Sequence, residues 1–121
     1  MTIAKTKKID LSYIYDISDG DREFIKEMLE TFLKITPENI NEIEVAQKNN
    51  NWKEVGRLAH KLKPTLMLIG DESLSKKINN LEKDAKNEVD TSQLPAKISE
   101  IKELCEFSVS DIKDLLKTDT Y

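Results

Sequence analysis

From Asp21 to Lys117 the apolar residues recur three and four positions apart in successive runs, and this spacing is the strongest constraint on what the chain can fold into. At 100° per residue it draws one apolar stripe along a helix, which must be buried against other such stripes. The first long run holds Phe24, Ile25, Met28, Leu29, Phe32, Leu33, Ile40, Ile43 and Ala46. A second places Trp52, Val55, Leu58, Ala59, Leu62, Leu66 and Ile69 on one broad face. The third is the narrow stripe of Leu74, Ile78, Leu81 and Ala85, and the fourth takes Leu94, Ile98, Ile101, Cys105, Ile112 and Leu115. Strand signals are weak throughout. With 38% hydrophobic and 35% charged residues, and three Gly and three Pro in 121 positions, the composition suits a helical bundle with a thin core and a well-solvated surface.

Punctuation between the runs sets the boundaries. Asp10 can cap a short helix from Leu11 to Ile17, with Leu11, Ile14 and Tyr15 available for packing, before the turn at Ser18-Asp19-Gly20. We read it as an accessory lid. A long helix then begins near Asp21, and Pro37 either kinks or splits it; we favour the kink. Asn49-Asn50-Asn51 is a connection, and the next helix runs from Trp52 through Ile69 and stops at Gly70, a suitable C-terminal cap. Asp71 caps the fourth helix, which ends before Asn87. Thr91 or Ser92 starts the last one, with Pro95 tolerated in its first turn. Short connections favour antiparallel neighbours. The expected fold is therefore an all-α, antiparallel up-down four-helix bundle over residues 10–117, with a short additional N-terminal helix. Residues 1–9 read as a flexible lead-in and 118–121 as a frayed tail.

Composition also excludes. A net charge of -4 and a pI near 5.1 argue against a nucleic-acid binder, which needs a large basic surface. No apolar run approaches the roughly 18 residues of a membrane span, the basic start lacks the apolar stretch of a secretory signal, and one cysteine cannot form an internal disulfide. A cytoplasmic protein without membrane contact is the simplest reading, and one compact bundle with no additional apolar face suggests a monomer. One His and one distant Cys do not make a zinc site, so no metal site is expected. Nor is there a glycine-rich phosphate loop that would hold ATP.

The single histidine, His60, points nearly opposite the centre of the apolar face of its helix. Around it the same arithmetic places Lys53, Gly56, Arg57, Lys63, Pro64 and Met67. An exposed imidazole, whose ordinary titration lies near about 6.5, is a nucleophile at neutral pH. Attack on an acyl phosphate of another protein would give phosphohistidine, and Lys63, one turn later, could offset the added charge. Gly56 would leave space beside the ring or permit close packing of a neighbouring helix. Met67 would offer adaptable apolar contact to a docking helix or sit at the rim of the core. Thr65 does not share the face of His60, and Cys105 lies on an inner stripe, so a nucleophile-base-acid triad is hard to build.

His60-Lys61-Leu62-Lys63-Pro64, with Gly70 closing the same helix, resembles the motif H-x-x-K-G of the histidine-containing phosphotransfer (HPt) domain, in which a glycine follows six residues on. Asp10-Leu11-Ser12-Tyr13, the run from Glu23 to Leu33 with Thr36-Pro37, and Trp52 through Ala59 also look like the family's helices. The resemblance implies that His60 is the phosphoacceptor, with phosphate entering at Nε2, that Lys63 supports the phosphoryl group and that Gly70 is the structural glycine. Pro64 departs from the motif glycine, removing an amide donor and setting a ring against the His60 carbonyl, where the family's glycine gives a partner close access to the histidine. The family role implied is a phosphocarrier without ATP-dependent kinase activity of its own, relaying phosphate between receiver-domain aspartates of a hybrid sensor kinase and a response regulator. No cofactor is expected on this chain, and Mg²⁺ comes with the receiver domain. The rival reading is a helical interaction module that binds a receiver or kinase without accepting phosphate; a structural adaptor with an incidental histidine is the third.

Overall fold

The computed structural model describes residues 9–121. It contains α1 (Ser12–Ser18), α2 (Arg22–Lys48), α3 (Trp52–Met67), α4 (Glu72–Lys86), a 3-10 turn at Thr91–Gln93 and α5 (Leu94–Thr118), and no strand among the described residues. The four long helices form an antiparallel bundle in which each packs on the next and α5 returns to α2, closing the ring. Helix α1 lies against α2.

Side-chain caps start three of the long helices. Asp21 accepts from the backbone amides of Glu23 and Phe24, Asn51 from that of Glu54, and Asp71 from that of Leu74. Each offsets an orphan donor, and removing such a cap typically costs about 1 kcal/mol. The stripes read from the sequence meet in one core: Ile25, Leu29, Phe32 and Ile43 from α2, Val55, Leu58, Leu62 and Leu66 from α3, Leu74, Ile78 and Leu81 from α4, Leu94, Ile98 and Ile101 from α5. Cys105 belongs to it, and burial pushes its thiol up to about 12, far from the reactive thiolate range.

Several boundaries differ from the sequence reading. Helix α2 is one continuous helix with Pro37 inside it, so the chain is not split there into two helices. Helix α3 ends at Met67, two residues before Ile69, because the Leu68 amide donates to the Thr65 carbonyl and the Gly70 amide to the Met67 carbonyl, tightening the turn. Gly70 then adopts φ +65°, and a Cβ there would run into the backbone of Asp10, so the position requires glycine twice over. The Asp10 amide donates to the Ile69 carbonyl at 2.8 Å, stitching the chain entry to the α3–α4 turn. Asp10 is not a helix cap: its carboxylate accepts from the amide and hydroxyl of Ser12, and α1 starts one residue later than expected. Tyr15 does not pack inward; Ile14 and Ser18 do. Phe24 also sits at the exposed rim of α2.

The two ends depart as well. Thr91 and Ser92 form the 3-10 turn, and α5 begins only at Leu94, with Pro95 in its first turn. Where the sequence reading let the chain fray, α5 continues through Thr118, and Arg22 reaches the Asp119 carboxylate at 2.6 Å, the Tyr121 carbonyl, and the face of the Tyr121 ring at 4.5 Å. Ile9 is partly buried against the core, whereas the rest of the expected lead-in lies outside the described residues.

Candidate functional site

Burial of Val55, Leu58, Ala59, Leu62 and Leu66 fixes the rotation of α3, and the imidazole of His60 therefore faces outward, its side chain 65% exposed. What holds it comes from α4. Leu74, Ile78, Leu81 and Ala85 bury one side of that helix, leaving Asn79, Glu82 and Lys86 along the side next to α3. His60 Nδ1 lies 2.8 Å from Glu82 Oε2. Lys63 donates to Glu82 Oε1 at 3.2 Å and to Asn79 Oδ1 at 2.8 Å, and Lys86 donates to Glu82 Oε2 at 2.9 Å.

Glu82 is thus the centre of the cluster. Its side chain is only 12% exposed, and the Lys86 ammonium first, then Lys63 and His60, bring its carboxyl down to about 2 against the opposing effect of burial. An ionised carboxylate accepts hydrogen bonds only, so a ring nitrogen bonded to it carries its proton. With Nδ1 as the donor, the neutral ring has its lone pair on Nε2, on the solvent side.

The other sequence-predicted residues separate into two groups. Lys63 is brought to the cluster, Arg57 is exposed and paired bidentately with Glu54 at 2.6 and 2.7 Å, and Lys53, Pro64 and Met67 lie exposed on α3. Met67, with Tyr13, Lys63 and Asn79, lines an open groove of about 470 Å³ that reaches toward Gly70 and the first turns of α4. Gly56 is the correction. It is buried and leaves no room beside the ring, because the stem of Lys86 fills the space; a Cβ on Gly56 would stand 2.6 Å from Lys86 Cγ. Its role in close helix packing is the alternative the structure supports. Pro64 does not end α3, although the His60 carbonyl has no amide four residues on to accept from.

Sequence reasoning missed Glu82, Asn79, Lys86 and Tyr13. Asn79, Glu82 and Lys86 stand three and four apart along one flank of the α4 stripe, so their common side was legible, but not that it faces His60. Among the described residues no group of three or more His, Cys, Asp or Glu is placed to hold a metal ion, and no helix is long and apolar enough to cross a membrane.

A helical bundle with an outward-facing histidine, braced by a carboxylate and flanked by a lysine one turn on, defines the class of histidine phosphotransfer modules. The family model of the Hpt domain matches residues 27–115, from the second turn of α2 into the last turns of α5. The chain belongs to the Hpt domain family, whose members take part in phosphorelays with receiver domains of two-component systems. No curated protein and no solved structure matched the chain.

Proposed function

We propose that this protein relays a phosphoryl group between receiver-domain aspartates, from a hybrid sensor kinase to a response regulator, through phosphohistidine at His60. The observation that carries the reading is the 2.8 Å hydrogen bond from His60 Nδ1 to Glu82 on a ring that is otherwise open to solvent. That bond selects the tautomer in which Nε2 is nucleophilic.

In the transfer, Nε2 attacks the phosphorus of an aspartyl phosphate on the docked receiver. The Nε2–P bond forms as the P–O bond to the aspartate breaks, and the aspartate carboxylate leaves with the electron pair. No proton has to leave Nε2. The ring becomes cationic as it donates its lone pair, and the Glu82 carboxylate against Nδ1 stabilises that charge without moving. Lys63, held beside the ring by Asn79 and Glu82, supports the phosphoryl oxygens. Phosphotransfer to the next receiver reverses the same steps. Mg²⁺ and both aspartates belong to the receivers, and the chain works as a phosphocarrier, monomeric and cytoplasmic, with no cofactor of its own. Lys53, Arg57, Pro64 and Met67 form the docking surface around the nucleophile, and Gly70 holds the turn behind it.

The test is incubation with phosphorylated receiver domains from the same source. Acid-labile, alkali-stable label is expected on the native protein and not on His60→Gln. Receivers that bind both forms while neither takes label would make the protein a docking module instead.

A further inference from the structure

Glu82 has more partners than a ring-orienting carboxylate requires. Its Oε2 accepts from both His60 Nδ1 and Lys86 Nζ, at 2.8 and 2.9 Å, while Oε1 takes Lys63. Lys86 can reach that oxygen because its stem lies in the gap where α3 has Gly56, one turn before His60; a Cβ there would also stand 3.3 Å from the Lys86 amide and 3.4 Å from the Glu82 carbonyl. The α3–α4 seam is therefore tight one turn before the histidine.

We propose that Lys86, laid across the side-chain gap at Gly56, is a positioning residue for His60: it holds Glu82 in place and shares with the imidazole the one carboxylate oxygen that orients the ring. The inference rests on the phosphotransfer reading above. A carboxylate alone beside an imidazole orients it but also favours its protonated form, which has no lone pair left on Nε2. A second cation on the same oxygen opposes that protonation while leaving the geometry intact. The charged groups around the ring are Arg57, Lys61 and Lys63 from α3, Arg57 being neutralised by Glu54, and Glu82 and Lys86 from α4. Of these, only Lys86 bonds the same carboxylate oxygen as the ring.

The experiment measures label transfer from a receiver domain charged with acetyl phosphate and Mg²⁺, as a function of pH, for the native protein, Lys86→Met, Lys86→Arg and Gly56→Ala. An NMR titration of the His60 ring accompanies each. Lys86→Met is expected to move the acid limb of the rate profile, and the ring titration with it, upward by roughly half a pH unit, the size of one partly exposed ion pair. Lys86→Arg should restore both, and Gly56→Ala, which displaces the lysine stem, should shift them the same way by less. Superimposable profiles for native protein and Lys86→Met, with both folded by circular dichroism, overturn the proposal. Should the native protein take no label, the phosphotransfer reading fails, and the ring titration decides the coupling alone: the upward displacement supports it and an unchanged curve overturns it.

Discussion

Glu82 shows how much one side chain on a neighbouring helix can decide. It turns an exposed histidine, of a kind found on many protein surfaces, into a ring with a fixed tautomer and a counter-charge in place. Glu82→Gln keeps the shape and removes the charge, leaving Lys63 and Lys86 facing each other without their shared anion. Transfer should fall about 10- to 100-fold, the scale of a charge-assisted hydrogen bond, with a stability loss of about 1 kcal/mol by urea unfolding. Lys63→Ala should slow transfer about 10-fold without unfolding the bundle, as rapid-quench rates and circular dichroism would show. The pH dependence has a definite sign. Glu82 has its carboxyl lowered to about 2 from an ordinary 4.5, so its contribution to stability is complete above about 4.5 and is lost as pH falls toward about 2. Acid unfolding of native protein and Glu82→Gln should therefore converge in that window. At this scale His60, Lys63 and Met67 were legible, because helical phase follows from the apolar residues of a single helix. Glu82 was not, because the register between two helices depends on how their side chains interlock, and spacing within either one is silent about that.

Individual helices carry their own conflicts with sequence preference. Pro37 and Pro64 lie inside α2 and α3, and both helices continue through them. Packing of the flanking apolar residues outweighs the roughly 3 kcal/mol that a proline costs a helix interior. Pro64→Ala should consequently stabilise the fold by up to about 3 kcal/mol, measured by chemical denaturation, since position 64 is exposed and the His60 carbonyl would regain a donor. The converse case is Gly70→Ala. A positive φ and the backbone of Asp10 both oppose a side chain there, and a loss of at least about 1 kcal/mol is expected, with Asp10 displaced from Ile69. Helix existence and the buried stripes could be read from the sequence in every long element. The ends could not always: α3 stops at Met67 because the turn is tightened by its own backbone bonds, while Ile69, beyond the helix, is still fully buried and so continues the apolar pattern.

For the molecule as a whole, the ring of four helices divides the work between two seams. Helices α3 and α4 carry His60, Lys63, Asn79, Glu82 and Lys86, whereas α2 and α5 supply core and, through Arg22, an anchor for the C-terminal residues. The site's cross-helix bonds join residues only 16 to 22 apart in sequence, and the closing contact of Arg22 with Asp119 spans 97. Contacts between near neighbours along a chain form with little loop-closure entropy. The seat of the histidine is thus a product of one helical hairpin, and it should take shape early in folding, before the far ends of the chain find each other. Sequence change at the Arg22–Asp119 closure should then tune how long the protein lasts while leaving in place the bonds that brace its histidine.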